Sequence, residues 1–160
     1  MFTTKTSLSP ASAPLARPLQ LLRQIFDLLE SVPMPLLQLL FRVAVGVVFF
    51  RSGLVKIASW ASAVALFSYE YNVPLLPPDI AATLAATVEL TAPVLLLVGF
   101  GSRFAAAAML GMTFVIQTFV YPQNWPDHLI WAALLLPIIT RGAGALSLDH
   151  LLARRFFGRM

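Results

Sequence analysis

Cysteine is absent from this sequence of 160 residues, and charged residues make up only 11% of it. The lack of cysteine excludes disulfides, thiolate nucleophiles, iron–sulfur ligation and Cys-based zinc sites. The two histidines, His128 and His150, lie in different parts of the chain, so we expect no metal site. No nucleophile beside a base, phosphate-binding glycine loop or carboxylate pair at metal spacing is recognisable, which makes an independent enzyme the least expected class.

Apolar residues dominate what remains, at 59% of the chain with a mean hydropathy of +0.82. A soluble domain typically carries about 25% charged residues, and one of this length could not bury so much apolar surface. The predicted class is therefore an all-α integral membrane protein whose main partner is the lipid bilayer. The net charge of +4 does not indicate nucleic-acid binding, because the basic residues flank apolar runs and form no stripe.

Four apolar runs have the length and composition of membrane-spanning helices or come close to it. They predict a four-helix bundle over residues 34–146, with spans at about 36–57, 80–100, 104–121 and 126–140. The fourth run is short for a span, at roughly 22 Å of helix.

Three segments flank the predicted bundle. Residues 1–17 are rich in Ser, Thr, Ala and Pro, without periodicity, and predict a disordered tail. Residues 18–33 have the apolar spacing of a short amphipathic helix in the membrane interface. Residues 147–160 predict a basic amphipathic helix that Ser147 caps.

The distribution of basic residues predicts the orientation. One side of the bundle carries Lys5, Arg17, Arg23, Arg103, Arg141, Arg154, Arg155 and Arg159, and the other carries Arg51 and Lys56. Since the basic side faces the cytoplasm, we expect both termini there.

The second run contains the residue of greatest interest, Glu89, near its middle. A charge at that depth costs at least a few kcal/mol unless it is paired, neutralised or wetted, which makes it a candidate functional site. Pro93 has no N–H for the carbonyl of Glu89, so this carbonyl is freed beside the carboxyl group. The alanines on the Glu89 face predict that this side packs against protein.

The sequence leaves the partner of Glu89 open between two hypotheses. In the first, Arg42 in the first run forms a buried ion pair with Glu89, helped by Gly46 and Gly53 on the same face as Arg42. In the second, Glu89 is protonated or binds a ligand from a cavity. Under that alternative, the outer mouth of the cavity is ringed by Arg51, Lys56 and His128.

Three further polar residues are candidates for lesser roles. Gln117 is expected to form a hydrogen bond inside the bundle. His128 is interpreted as a hydrogen-bonded wall residue more readily than as a ligand. Glu70, in the long loop over residues 58–79, is interpreted as a solvated charge more readily than as a ligand.

The stretches RVAVGVVFFRSGLVKI, ATVELTAPVLLLVGFGSR and LLLPIITRGAGALSLDHLL resemble the DoxX family of small bacterial membrane proteins. The middle of the chain is similar to members encoded beside small metal-binding peptides. The residues that match the family pattern are Arg42, Gly46, Gly53, Lys56, Glu89, Pro93, Arg103 and Asp149. The resemblance implies a four-helix bundle in the bacterial inner membrane, related to a quinone oxidoreductase subunit and to oxidative-stress complexes.

Three functions are compatible with these observations. The resemblance favours an accessory subunit of a membrane redox or metal-stress system, with quinone as the candidate cofactor and another membrane or redox protein as partner. Proline-broken helices beside a buried charge are also typical of a small-solute or metal transporter, for which four spans would need a homo-oligomer. The third function is that of an assembly factor or scaffold for another membrane protein, in which the buried charges only hold the helices of the bundle together.

Overall fold

A computed structural model describes residues 17–71 and 73–158, and these residues are folded mainly as α-helices. The seven helices are α1 (Arg17–Glu30), α2 (Met34–Ala58), α3 (Trp60–Leu66), α4 (Pro78–Val98), α5 (Ser102–Val115), α6 (Trp125–Arg141) and α7 (Leu148–Phe157). The all-α prediction is confirmed. The predicted tail lies outside the described residues except for its last position, Arg17, which begins α1.

Short π-helical segments extend two of the helices. The segment Phe67–Tyr71 continues α3, and Ile116–Val120 continues α5. The stretch expected to be the longest loop, residues 58–79, therefore contains helical structure over most of its first half.

Three helical stretches are long and apolar enough to cross a membrane: Met34–Ala58, Pro78–Val98 and Ser102–Val120. They coincide with the first three predicted spans to within two residues at each end. The fourth predicted span corresponds to α6, whose 17 residues extend for about 26 Å.

Helix α1 belongs to a compact unit separate from residues 34–158. Leu22, Phe26 and Leu29 recur at helical spacing and are exposed. A helix with such an apolar face suits a membrane interface, and its location there stays a prediction.

The bundle is formed by α2, α4, α5 and α6, which pack around one apolar core. The buried core residues are Val45, Phe49, Ala92, Leu96, Ala105, Ala106, Met109, Leu135 and Ile138. The several alanines in this set allow short distances between helix axes, as is usual where membrane helices pack together.

Glycine permits the close approach of α2 to α4 at one position in particular. A Cβ atom on Gly53 would lie 2.9 Å from Leu90 side-chain carbons and 3.0 Å from the Cβ of Glu89. A Cβ atom on Gly46 would lie 3.7 Å from the Cβ of Pro93, which is an ordinary contact. Both glycines were expected to serve helix packing, but only Gly53 is sterically required.

Arg42 is fully buried and bonds to main-chain carbonyls, so the predicted Arg42–Glu89 pair is wrong. Its Nη1 donates to the oxygen of Leu96 at 3.1 Å, and its Nη2 donates to the oxygen of Leu146 at 2.5 Å. Arg42 thus lies level with the end of α4, because α2 begins about two turns (roughly 12 Å) beyond that end. The guanidinium thereby connects the end of α4 to the segment that precedes α7.

The start of α7 holds the turn between α4 and α5. The Asp149 carboxylate accepts from the N–H of Gly101 at 2.8 Å and of Ser102 at 3.0 Å, capping α5. Its own N–H donates to the oxygen of Gly99 at 2.8 Å. Ser147 accepts from the N–H of His150 at 3.2 Å, which confirms its predicted role as the cap of α7.

Candidate functional site

Glu89 forms a buried ion pair with Lys56 across the α2–α4 contact. The Nζ of Lys56 lies 2.8 Å from the Oε1 of Glu89, and the two side chains are 14% and 5% exposed. Ser52 completes the cluster, since its hydroxyl donates to the same Oε1 at 3.1 Å and accepts from Lys56 at 3.1 Å. We call these three residues the polar cluster.

Local sequence explains why the cluster forms at this level. Ser52 and Lys56 are four residues apart on α2, so their side chains share one face of the helix. Gly53 lies on the same side of α2 and lets the backbone of α4 come close enough for the lysine to reach Glu89. The chain therefore needs a small residue beside the two polar ones.

Two members of the polar cluster, Glu89 and Lys56, have hydrogen-bonding groups that the described residues leave unused. The Oε2 of Glu89 is buried and has no hydrogen-bond partner among the described residues. Lys56 donates two bonds, to Ser52 and Glu89, whereas an ammonium group carries three N–H donors. A buried acceptor without a partner is uncommon in folded proteins and calls for an explanation.

The polar cluster lines a cavity of about 510 Å³ that is otherwise mainly apolar. This space, which we call the Glu89 cavity, lies between α2, α4, α5, α6 and the segment after α3. Its other polar or aromatic lining residues are Phe67, Tyr71, Tyr121, Asn124, Asp127, His128 and Trp131. An apolar cavity of several hundred Å³ with a few placed polar groups is the usual form of a small-molecule site.

His128 is buried in the wall of this cavity and is oriented by Gln117. The Nε2 of Gln117 donates to the oxygen of Pro122 at 3.0 Å, so the Oε1 of Gln117 faces the Nδ1 of His128, at 2.6 Å. Since that oxygen can only accept, Nδ1 is the donor in this contact, which leaves Nε2 as the acceptor whenever the ring is neutral. The predicted hydrogen-bonding roles of Gln117 and His128 are both confirmed.

Aromatic side chains join two elements beside the Glu89 cavity. The rings of Tyr71 and Tyr121 meet edge to face with centroids 5.6 Å apart. The hydroxyl of Tyr121, just past the end of the span, donates to Glu70 at 2.6 Å. This hydrogen bond to a carboxylate raises the pKa of Tyr121. Glu70 is exposed, as expected, but it also has a specific hydrogen-bond donor.

Comparison with known proteins decides the family. The family model described as DoxX matches residues 37–122. The chain belongs to the DoxX family. An uncharacterized protein of Haemophilus influenzae is 36% identical to it over 120 residues, which are 66% of this chain and 76% of the relative. No solved structure matches the chain significantly.

The DoxX match covers some of the predicted site residues, and the structure divides these residues between two ends of the bundle. Lys56 and Glu89 lie in the matched region and line the Glu89 cavity, which His128 also lines from outside that region. Arg42, Arg103 and Asp149 lie at the opposite end, around the α4–α5 turn.

Other predicted positions stand apart from the cavity. Arg51 is exposed and does not line the Glu89 cavity, so it belongs to no ring of charges at the mouth. Pro93 is buried in α4 against Gly46. Within residues 17–71 and 73–158, no three His, Asp or Glu side chains are grouped closely enough to hold a metal ion.

Several cavity residues were missed from the sequence, among them Ser52, Asp127 and Trp131. Ser52 gave a signal, since a polar residue lies one turn from Lys56 in an apolar helix. Trp131 packs edge to face on Phe49 with centroids 5.2 Å apart and also contacts the His128 ring, at 5.1 Å. In the sequence it is indistinguishable from a lipid-facing aromatic residue.

Proposed function

We propose that this DoxX protein binds a quinone in the Glu89 cavity and serves as an accessory subunit of a membrane redox or metal-stress system. The observation that carries the proposal is the buried Lys56–Glu89 pair facing a mainly apolar space of about 510 Å³. Quinones combine a flat polar head with an apolar tail, and the cavity offers complementary surfaces to both.

The residues of the cavity have distinct roles in this proposal. Lys56 donates its remaining N–H to a head-group carbonyl oxygen, and the Oε2 of Glu89 accepts a hydrogen bond from a head-group hydroxyl. The Nε2 of His128 is a second acceptor, while Trp131 and Tyr71 provide apolar surface for the ring. A bound quinone supplies two-electron, two-proton redox chemistry, and Glu89 and His128 are placed to hold the protons.

A partner is required because the electrons must come from another group. We propose that this partner is a second membrane or redox protein, with a homo-oligomer as the other arrangement to be tested. Co-purification from native membranes in a mild detergent distinguishes the two, since a partner would be identified by mass spectrometry and a homo-oligomer by its mass.

We further propose four spans, with α6 as the fourth, and both termini on the cytoplasmic side of a bacterial inner membrane. The positions of the basic residues support this orientation. Reporter fusions at each terminus test it: a cytoplasmic reporter should be active at both ends, and periplasmic reporter activity at either end would contradict the orientation.

Quinone binding is tested by titrating purified protein with a short-chain ubiquinone analogue. Lys56→Met and Glu89→Gln should each weaken binding by about tenfold or more, since each removes a hydrogen bond to or from a charged group. Arg51→Met is the matched control, because Arg51 is exposed and outside the cavity. Equal affinity in all four proteins would contradict the proposal.

A transport function is the second candidate, favoured by the prolines inside α4 and α6, Pro93 and Pro137. Reconstitution into proteoliposomes separates it from the first. Uptake of a solute or metal that Glu89→Gln abolishes, together with no quinone binding, would favour transport. If quinone and uptake are both absent while Glu89→Gln only lowers stability, the pair has a scaffold role.

A further inference from the structure

A second cavity lies at the end of the bundle opposite the polar cluster, where α5 begins, α6 ends and the chain turns into α7. It measures about 420 Å³, and we call it the Arg103 cavity. Its lining includes Arg103 and Phe104 from α5, Arg141 from α6, and Gly142, Gly144 and His150 after it. The quinone proposal does not involve any of these residues.

The charges around the Arg103 cavity favour an anion. Arg103 and Arg141 are both exposed, and neither forms an ion pair within the described residues. The one carboxylate in the lining, Asp149, accepts main-chain N–H groups with both oxygens. Two guanidinium groups therefore face one cavity against a single carboxylate that is already hydrogen-bonded, and their mutual repulsion is relieved when an anion binds between them.

Glycine geometry brings Arg103 close to the end of α6. Gly142 follows Arg141 directly and has a φ of +80°. A Cβ atom there would lie 3.7 Å from the Nε of Arg103 and 3.8 Å from its Nη2. The Arg103 guanidinium thus rests near the backbone next to Arg141, and a planar guanidinium is well suited to binding phosphate oxygens in pairs.

We infer that the Arg103 cavity binds the phosphate group of an anionic phospholipid. Basic pockets between membrane helices commonly take such head groups. The rim favours a lipid over a free phosphate ion, because the side chain of Phe104 is 85% exposed at the start of an apolar span. Phe104 is placed to contact the acyl chains while Arg103 and Arg141 bind the phosphate.

The inference is tested on the full-length protein in detergent, by calorimetric titration with three probes. These are short-chain phosphatidylglycerol, short-chain phosphatidylcholine and inorganic phosphate. We expect saturable binding of phosphatidylglycerol and much weaker binding of phosphatidylcholine. Arg103→Gln/Arg141→Gln should weaken phosphatidylglycerol binding about thirtyfold, given the usual contribution of each basic residue near an anionic lipid surface.

The matched control is Arg154→Gln/Arg155→Gln, which removes the same charge from exposed positions of α7 outside the cavity. It should retain the wild-type affinity. An equal loss in both double variants would overturn the inference, because general surface charge would then explain binding. If inorganic phosphate binds as tightly as phosphatidylglycerol, the ligand of the cavity is a free phosphate ion, and the inference that it is a lipid is overturned.

A second variant tests the inference independently, in case the double arginine variant does not fold. Ala145 is exposed and lines the Arg103 cavity, so Ala145→Glu adds a negative charge without disturbing the core. It should weaken phosphatidylglycerol binding and leave the thermal unfolding temperature unchanged. Unaltered binding in Ala145→Glu would contradict the proposed location of the phosphate.

Discussion

Lys56 Nζ lies 2.8 Å from Glu89 Oε1, and the pair lines the Glu89 cavity. A buried pair of this kind is costly to form, because both ions lose their hydration. Its second carboxylate oxygen has no partner among the described residues. These two features together support the proposed binding site, since a pair that only stabilised the fold would gain from using both oxygens.

Removing the lysine is predicted to destabilise the protein more than removing both charges. Lys56→Met leaves the Glu89 carboxylate buried without its cation, which should lower the free energy of unfolding by about 3 kcal/mol. Lys56→Met/Glu89→Gln should recover most of this loss. Thermal unfolding in detergent measures the difference, with Arg51→Met as control. Additive effects of the two single changes would show that the residues do not interact.

The two glycines of α2 are predicted to respond differently to alanine. Gly53→Ala places a methyl group 2.9 Å from Leu90 carbons and should destabilise the bundle by about 1–3 kcal/mol through overpacking. Gly46→Ala has room and gains helix propensity, so it should be neutral or stabilising. Unfolding of the two variants under the same conditions compares them directly. Equal losses of stability in the two variants would mean that Gly53 is packed no more tightly against α4 than Gly46, which would contradict the structure.

Arg42 is predicted to matter for stability but not for quinone binding. Arg42→Met removes the donors to the carbonyls of Leu96 and Leu146, which should cost about 3 kcal/mol at this fully buried position. The affinity of the folded fraction for the quinone analogue should be unchanged, since Arg42 does not line the Glu89 cavity. Weaker binding without any loss of stability would contradict this division of roles.

The Tyr121–Glu70 hydrogen bond predicts a dependence on alkaline pH. The folded protein holds the Tyr121 proton more tightly than the unfolded chain, because the hydroxyl donates to a carboxylate. Its contribution to stability is therefore complete below the ordinary tyrosine pKa of about 10 and is lost as the pH rises through the raised value.

An ultraviolet titration of tyrosinate tests this pH dependence. Tyr121→Phe identifies the transition that belongs to Tyr121, and Glu70→Gln should move that transition to lower pH. A transition that stays in place in Glu70→Gln would show that the carboxylate is not the cause.

Much of the fold follows from local sequence, because the length of an apolar run and the positions of its prolines and glycines determine where a single helix begins and ends. The first three spans are of this kind, and so are the cap at Ser147 and the functional interest of Glu89. Which residue pairs with Glu89 depends instead on the relative position of two helices along their axes. Placing the ends of α2 and α4 level with each other favours Arg42, whereas the observed offset of about two turns brings Lys56 to Glu89.

The Glu89 cavity could not be predicted from the sequence for a similar reason. Its walls come from five elements, and the aromatic contacts of Tyr71, Tyr121 and Trp131 depend on how these elements pack. The π-helical segment after α3 positions Tyr71, and no simple sequence rule predicts such a segment. Individual polar residues were recognisable, but the space between them was not.

Photolabelling with an azido-quinone tests the central claim most directly. We expect label on cavity residues such as Val88 and Trp131, with labelling suppressed by excess unlabelled quinone and reduced in Lys56→Met but not in Arg51→Met. Label confined to exposed residues outside the cavity such as Val55 and Ile130, and unaffected by excess quinone, would contradict the claim.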